Sequence, residues 1–406
     1  MKKGLLLLII CFTQICYSQT KYNSDEVVCP NDTLCYLKYD MSLFNGVIYN
    51  EFGDIGLFIN GNKDGLHKQW FENGQLKDEG IYINGKPNGF HKVWYENGQI
   101  MTESNFINGS KEGIIKLWYE SGQLISEMSF KNDKGDGLFK FWNEDGQLVS
   151  EISYSEGKED GIIKSWYENG QLEFEENYKD GESDGLGRHW YENGQLKTTK
   201  DYTNGKVVDG IQKMYYENGQ LETEFYTIDE KKDGLQTIYY ENGKLQIEVN
   251  YQNDVENGLQ KIWYESGQLK TQSNYKDGKK NGLYKSWGES GQLSYESNYK
   301  NDEMDGLWRG WSENGQLEFE ENYKDGKSEG GSKSWYENSQ LEYDKNYRDG
   351  ELNWIQKGWY ENGELKFEFN YKNGVEDGVF KMWDENGRLE SNTTYRNGEL
   401  VRSRSY

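Results

Sequence analysis

The sequence predicts an all-β fold: an elongated, single-layer antiparallel sheet, or solenoid, of consecutive β-hairpins with about 24 residues per repeat. The first observation is internal repetition, since residues 166–181 read WYENGQLEFEENYKDG and residues 311–326 read WSENGQLEFEENYKDG. The second is composition. Hydrophobic residues make up only 34% of the 406 residues, too few for one large core, while aromatic residues reach 15%, too many for a disordered chain.

The repeat is marked by the glycine of an ENGQL-like turn, which returns every 24 residues with one step of 25. The extra residue lies in the connection at residues 206–209, where a loop accepts a change of length. Fourteen units follow from these markers, and the one marker that is not glycine, Ser339, predicts a slightly strained turn. The markers are Gly74, Gly98, Gly122, Gly146, Gly170, Gly194, Gly219, Gly243, Gly267, Gly291, Gly315, Ser339, Gly363 and Gly387.

Each turn is flanked by apolar residues at fixed positions, which is typical of strands on either side of an Asn-Gly turn. Leu or Ile follows the marker by two residues, Tyr or Phe follows it by eight, and a second glycine with an aliphatic residue comes next. Tyr215 and Tyr239 stand at two of the positions four residues before the marker. The other positions form a structural tryptophan ladder: Trp70, Trp94, Trp118, Trp142, Trp166, Trp190, Trp263, Trp287, Trp311, Trp335, Trp359 and Trp383.

Two registers of the hairpin compete. A two-residue turn pairs Lys164 with Glu175, whereas a three-residue turn places Trp166 opposite Leu172. Burial of such apolar side chains contributes about 1.5–3 kcal/mol each, against about 0.2–1 kcal/mol for an exposed ion pair, so the three-residue turn is predicted. One face would then carry the aliphatic residue, the lysine, the tryptophan, the leucine and the tyrosine eight residues after the marker. The lysine would lie along the tryptophan rings or belong to an ordinary solvated ladder.

The two ends of the chain differ from the repeats. Residues 1–18 have a basic start, a short apolar run and a small-residue exit, the pattern of a cleaved signal peptide; a short buried helix is the alternative. Residues 19–40 would cap the repeats through a disulfide between Cys29 and Cys35, unless both remain free thiols. Residues 41–65 resemble a degenerate capping repeat, residues 66–400 hold the fourteen full repeats, and residues 401–406 form a C-terminal tail with arginines that guard the last strand.

The residue content argues against catalysis, a cofactor or a metal site. The glutamate pairs Glu175–Glu176 and Glu320–Glu321 and the turn glutamate of every repeat recur along the chain, whereas an active site is normally one place. The only histidines are the scattered His67, His91 and His189. No phosphate-binding GxxxxGK[ST] motif occurs. The net charge of −24, or −26 once Lys2 and Lys3 leave with the signal peptide, disfavours nucleic acid and anionic membranes as partners.

The tyrosine that follows the tryptophan position in nine of the repeats is a candidate ligand-facing residue, because the predicted register points it away from the tryptophans. A row of exposed tyrosines suits contacts with proteins or sugar rings; alternatively, tyrosine simply favours strand ends. The row comprises Tyr95, Tyr119, Tyr167, Tyr191, Tyr216, Tyr240, Tyr264, Tyr336 and Tyr360.

The unit D-G-L-x-K-x-W-Y-E-N-G-Q-L…N-Y-K-D-G-K resembles the bacterial MORN-repeat variant of the YwqK-type antitoxin-like repeat proteins, over about four-fifths of the chain. The resemblance implies consecutive hairpins in a curved antiparallel sheet and a role in protein or surface interaction. A looser resemblance connects the chain with the shorter Trp/Tyr-Gly repeats that bind bacterial cell walls. The signal peptide departs from the picture of a cytoplasmic antitoxin.

Three functions follow as hypotheses. The first is a non-catalytic exported scaffold, periplasmic or at the cell surface, that binds a protein partner. The second is a glycan- or cell-wall-binding protein that stacks sugar rings on the tyrosine row. The third is an antitoxin- or immunity-like inhibitor, which would require a toxin partner.

Overall fold

The computed structural model describes residues 20–30 and 34–406 of the chain. The chain divides into two compact units, Met1–Gly185 and Leu186–Tyr406, called unit one and unit two below. The predicted signal peptide at residues 1–18 lies outside the described residues. Within the described ranges, no helix has the length and apolar character needed to cross a bilayer.

Apart from its first strand, unit one is built from short antiparallel strands that pair with their neighbours along the chain. One 3₁₀ helix, Ser24–Glu26, interrupts this pattern near the N-terminus. The strands are Lys21–Asn23, Val27–Val28, Tyr36–Leu37, Gly46–Asn50, Gly53–Ile59, Asn62–Trp70, Leu76–Ile83, Lys86–Trp94, Ile100–Ile107, Ser110–Lys111, Gly113–Trp118, Leu124–Lys131, Lys134–Trp142, Leu148–Ser155, Lys158–Trp166, Leu172–Lys179 and Glu182–Ser183.

Unit two has the same arrangement of hairpins. The strands of both units confirm the predicted all-β class of consecutive antiparallel hairpins. Its strands are Gly185–Trp190, Leu196–Thr203, Lys206–Val207, Gly210–Tyr215, Leu221–Ile228, Lys231–Lys232, Gly234–Tyr239, Leu245–Gln252, Val255–Trp263, Leu269–Lys276, Lys279–Lys280, Gly282–Trp287, Leu293–Lys300, Glu303–Met304, Gly306–Trp311, Leu317–Lys324, Lys327–Trp335, Leu341–Arg348, Glu351–Leu352, Trp354–Trp359, Leu365–Lys372, Val375–Glu376, Gly378–Trp383, Leu389–Arg396 and Glu399–Ser405.

The turn between the two long strands of each repeat has three residues, as predicted. In the hairpin around Gly170, the Tyr167 amide donates to the Gln171 carbonyl and the Gly170 amide donates to the Tyr167 carbonyl, each at 2.9 Å. Gly170 adopts a φ of +82°, in the left-handed region that an L-residue enters only at a cost. Trp166 therefore lies opposite Leu172.

The ion-pair register, whose predicted contribution is the smaller of the two, is also present. The pairing shifts between Ser165 and Trp166, so Glu173 has no partner and forms a one-residue β-bulge. Lys164 then lies opposite Glu175, with 2.9 Å between its ammonium and the carboxylate. The bulge thus lets one hairpin satisfy both registers, and the same shift recurs in both units.

The bulge corrects the predicted composition of the two faces. Directly opposed residues share a face, so Tyr178, which lies opposite Gly161, is on the face away from Trp166. The aliphatic Ile162 shares the tryptophan's face but is exposed, whereas its neighbour Ile163 is buried on the other side. The name tryptophan face is used below for the side of Trp166, Lys164 and Ile162, and tyrosine face for the side of Tyr178 and Ile163.

The second connection of each repeat is a two-residue turn, and both of its residues have backbone angles in the left-handed region. Ile83 lies opposite Lys86, and the intervening Asn84 and Gly85 have φ of +48° and +77°. These angles are those of a type I′ turn, whose twist matches the twist of the flanking strands. The Asn-Gly and Asp-Gly pairs of the sequence therefore mark two different turns, one at each end of the strands.

The N-terminal segment of unit one holds a small conventional core. Cys29 and Cys35 form a disulfide, and Cys35 packs with Phe44, Phe58 and their neighbours in a buried cluster. Lys21–Asn23 pairs in parallel with residues 47–49, the one parallel pairing recorded in the described part of unit one.

Aromatic rings connect this core to the first repeats along the tyrosine face. Successive edge-to-face contacts, with centroids 4.8–6.2 Å apart, join Tyr22, Phe44, Phe58, His67, Tyr82, His91 and Phe106. Each such pair contributes about 0.5–1.5 kcal/mol beyond burial of its area. His67 is a member of this chain of rings. Its Nε2 lies 2.7 Å from the Leu57 carbonyl oxygen, and because a carbonyl only accepts, Nε2 carries the proton and donates it.

Ser339 tests the turn geometry, because it holds a φ of +68° where the other markers are glycine. We expect Ser339→Gly to stabilise its hairpin by about 1 kcal/mol, since glycine enters the left-handed region without the steric cost of a β-carbon. Hydrogen exchange of the amides in Leu341–Arg348 measures the effect. The reciprocal control, Gly315→Ser, should speed exchange in Leu317–Lys324, and equal exchange in all three proteins would contradict this account of the turn.

His67 gives unit one a pH dependence. Burial lowers the pKa of His67 to about 4, below its value of about 6.5 in the unfolded chain, so the unfolded state binds the proton more readily between these values. Stability should therefore fall as pH drops from 6.5 towards 4, by about 1–3 kcal/mol. Hydrogen exchange of the strand Gly53–Ile59 at pH 7 and pH 5 measures the loss. His67→Phe, which keeps the ring but cannot titrate, should show a smaller difference between the two pH values.

Candidate functional site

The predicted ligand-facing tyrosines lie half buried at the turn end of each hairpin, and their hydroxyls are used within the fold. Each hydroxyl for which a bond is recorded donates to the backbone carbonyl of the tryptophan position in the following repeat, at 2.7–3.4 Å. In unit one the donors are Tyr95 and Tyr119, which bond Trp118 and Trp142. In unit two they are Tyr191, Tyr216, Tyr240, Tyr264, Tyr336 and Tyr360.

These hydrogen bonds make the tyrosine row a set of clamps between neighbouring repeats, a role that the sequence pattern does not predict. Burial raises the pKa of Tyr191 and of Tyr216, which keeps each phenol protonated as a donor. Five repeats have another residue at the position of the clamping tyrosine: Phe71, Asn143, Gly288, Ser312 and Asp384. Contact of the clamping tyrosines with a ligand stays a prediction.

Two further sets of hydrogen bonds join each repeat to the next. The turn asparagine donates to the carbonyl of the next turn's glutamate, as Asn97 does to Glu120 at 2.9 Å and Asn218 does to Glu241 at 2.9 Å. The acidic residue before the second glycine accepts from a backbone amide of the next type I′ turn. Asp209, for example, accepts from Asp229 at 2.7 Å. The regular Y-E-N-G and D-G letters of the sequence are therefore explained by bonds between repeats.

The lysines of the tryptophan face pair mainly with glutamates on the neighbouring strand. Ammonium–carboxylate distances are 2.7 Å for Lys92 with Glu103 and 2.8 Å for Lys213 with Glu224. A lysine over its own tryptophan is recorded for Lys261, 5.9 Å from the ring of Trp263. Such half-exposed pairs contribute about 0.2–1 kcal/mol each, so they reinforce the register without dominating stability.

The tryptophans of the ladder, and the two tyrosines that replace tryptophan at this position, are half buried in the described repeats. Each of these rings lies opposite a leucine or an isoleucine. Beside it runs a row of exposed aliphatic and aromatic side chains, the residues after the second glycine, called the aliphatic row below. In unit one the row is Leu66, Phe90, Ile114, Leu138 and Ile162, each 39–53% exposed. In unit two its exposed members are Ile211, Leu235, Ile355 and Val379.

Titratable side chains of different kinds come together near the cap of unit one. His91 Nε2 lies 3.3 Å from both the Asp78 carboxylate and the Tyr82 hydroxyl. A cavity of about 170 Å³ lies nearby, lined by residues that include the Cys29–Cys35 disulfide, His67 and Asp78. No group of three or more His, Cys, Asp or Glu side chains arranged to hold a metal ion occurs in residues 20–30 and 34–406.

Tyr216→Phe tests the clamp, because it removes the 2.7 Å bond to the Tyr239 carbonyl and keeps the ring. We expect a loss of about 0.5–1.5 kcal/mol in the local stability of that hairpin, measured by hydrogen exchange of the amides in Gly234–Tyr239. Tyr226→Phe is the matched control, since Tyr226 is 42% exposed. A loss of the same size in both variants would contradict the clamp.

Comparison with known proteins identifies the repeat. The profile of the MORN repeat variant matches residues 63–84, 88–108, 111–132, 135–156, 159–180, 183–207, 208–229, 232–253, 256–277, 280–301, 304–325, 355–373 and 376–397. These matches cover more than half of the chain. No curated protein matches the chain.

Among solved structures, the chain is similar to toxin-complex proteins, at a level that carries no argument about function. Its sequence is 12% identical to a chain in the crystal structure of TcdB2-TccC3-Cdc42. The match covers 92% of this chain and 25% of that chain, with a TM-score of 0.16. For the Tc holotoxin pore of Photorhabdus luminescens the identity is 12%, the coverage 84% and 23%, and the TM-score 0.16. The chain thus spans about a quarter of the length of these structures. On its repeated sequence matches, the chain belongs to the MORN repeat variant family.

Proposed function

We propose that this protein is a non-catalytic, exported repeat scaffold that binds a protein partner through the aliphatic row of its tryptophan face. The observation that carries the proposal is the row itself. Singly scattered apolar residues are normal on a protein surface, but the register aligns Leu66, Phe90, Ile114, Leu138 and Ile162 on consecutive repeats. A regular line of exposed apolar side chains on one face, beside the half-buried tryptophans, suits a site of protein interaction.

The spacing of the row favours an extended partner. Successive members are separated by two strands, or about 10 Å, so contacts recur at regular intervals along unit one. The adjacent Lys–Glu pairs provide a polar rim that is close to neutral. An apolar centre with a polar rim is the usual anatomy of a protein interface.

Export and the lack of catalysis are parts of the same proposal. The leader-like residues 1–18 and the Cys29–Cys35 disulfide fit an oxidising compartment, the periplasm or the cell surface. Two histidines, His67 and His91, serve in the aromatic chain of the fold, which supports a binding role and not a chemical one. An antitoxin- or immunity-like role would be a special case in which the bound protein is a toxin.

The experiment is affinity capture of the mature protein from its own cell envelope, with mass spectrometry of the captured proteins. The triple variant Ile114→Glu, Leu138→Glu and Ile162→Glu should lose the partner, because it places three charges on the apolar row. The control is Gln99→Glu, Gln147→Glu and Gln171→Glu, which adds the same charge at exposed turn positions.

Circular dichroism and thermal unfolding should be alike for both triple variants, since all six positions are on the surface. Retention of the same partner by the aliphatic-row variant would contradict the proposal. Capture of a toxin by the wild-type protein, lost in that variant, would assign the inhibitor role to this surface.

A further inference from the structure

One repeat position is occupied by a residue that the backbone does not favour. The second glycine of the unit has a φ of +80° to +151° in the other repeats: Gly65, Gly89, Gly113, Gly137, Gly161, Gly185, Gly210, Gly234, Gly258, Gly282, Gly306, Gly330 and Gly378. Trp354 stands at this position in its own repeat, with a φ of +64°. A bulky residue in the left-handed region is an outlier, and such strain is found mainly where it serves a function.

The strained backbone is held in place by a buried glutamine. Gln356 is 2% exposed, and its Nε2 donates to the carbonyls of Asn353 at 2.8 Å, Asn346 at 3.1 Å and Trp354 at 3.4 Å. Its Oε1 accepts from the Asn346 amide at 2.8 Å. The carbonyls on either side of the tryptophan's amide are therefore fixed, so the indole is presented on a rigid support.

The side chain held in this way is exposed and is accompanied by a cation. Trp354 is 49% exposed, and the guanidinium carbon of Arg348 lies 4.8 Å from its ring centroid. Arg348 has no ion pair with a carboxylate of the described chain, whereas Arg309 on the tryptophan face bonds Glu320 at 2.9 Å. An exposed guanidinium with free donors suits a planar anionic group such as a carboxylate.

We propose that Trp354 and Arg348 form a binding site for a saccharide ring that carries a carboxylate. The ring would stack on the exposed part of the indole and its carboxylate would accept from the guanidinium. The site is small: it comprises one exposed indole, the Arg348 guanidinium beside it and Tyr371, which lies opposite the tryptophan. One exposed aromatic face beside a single charged donor is too small for the wide apolar centre that a protein interface requires, and it matches the size of a sugar ring that carries a carboxylate.

Titration of the full-length mature protein with two sugars, followed by ligand-observed NMR at about 0.15 M salt, tests the site. The probes are a disaccharide ending in glucuronic acid and the same disaccharide ending in glucose. The wild-type protein should bind the acidic sugar more tightly. Trp354→Gly should weaken binding of both sugars by about tenfold, the scale of one aromatic stacking contact. It restores the residue of the other repeats, so it should leave thermal stability equal or higher.

Arg348→Gln separates the charge from the stacking contact. It should weaken binding of the acidic disaccharide by about tenfold and leave binding of the neutral one unchanged. Absence of binding by the wild-type protein would overturn the proposal, as would equal binding by Trp354→Gly. Unchanged binding of the acidic sugar by Arg348→Gln would overturn the assignment of the carboxylate. A protein partner lost in Trp354→Gly, with no binding of either sugar, would place the pair in a protein interface instead.

Discussion

The combination of a three-residue turn with a one-residue bulge is the constraint on which the rest of the repeat depends. The left-handed glycine of the turn places Trp166 opposite Leu172, and the bulge at Glu173 then returns Lys164 to Glu175. Without the bulge, every residue beyond it would face the other side of the sheet. The bulge therefore decides which side chains are buried, which form ion pairs and which remain exposed.

Stability in such a sheet comes from many small contributions between neighbours. The described residues form a conventional buried cluster mainly in the cap, around Phe44 and Phe58. Elsewhere, phenol, amide and carboxylate side chains bond the backbone of the next repeat, at about 0.5–1.5 kcal/mol each. A protein built in this way behaves as a row of repeats, each held by its neighbours. Many side-chain hydroxyls and amides that could bind a ligand are therefore hydrogen-bonded to a neighbouring repeat.

Departures from the repeat are consequently more informative about function than the repeat itself. A feature that recurs in every unit is explained by contacts between units, as the tyrosine row illustrates. Trp354 has no such explanation, because glycine at the same position satisfies the same backbone in the other repeats. The matched family segments also pass over residues 326–354, which contain the non-glycine marker Ser339 and end at Trp354.

The sequence by itself determined the all-β class, the period of the repeat, the three-residue turn and the strained Ser339, because turn residues and spacing act locally along the chain. The tertiary structure alone decided that Tyr178 and Trp166 lie on opposite faces, that Ile162 is exposed, and that the hydroxyl of Tyr216 is taken by the next repeat. These outcomes depend on one unpaired residue in the strand and on bonds between repeats. Neither leaves a signature in the alternation of polar and apolar residues, so only the assembled sheet reveals them.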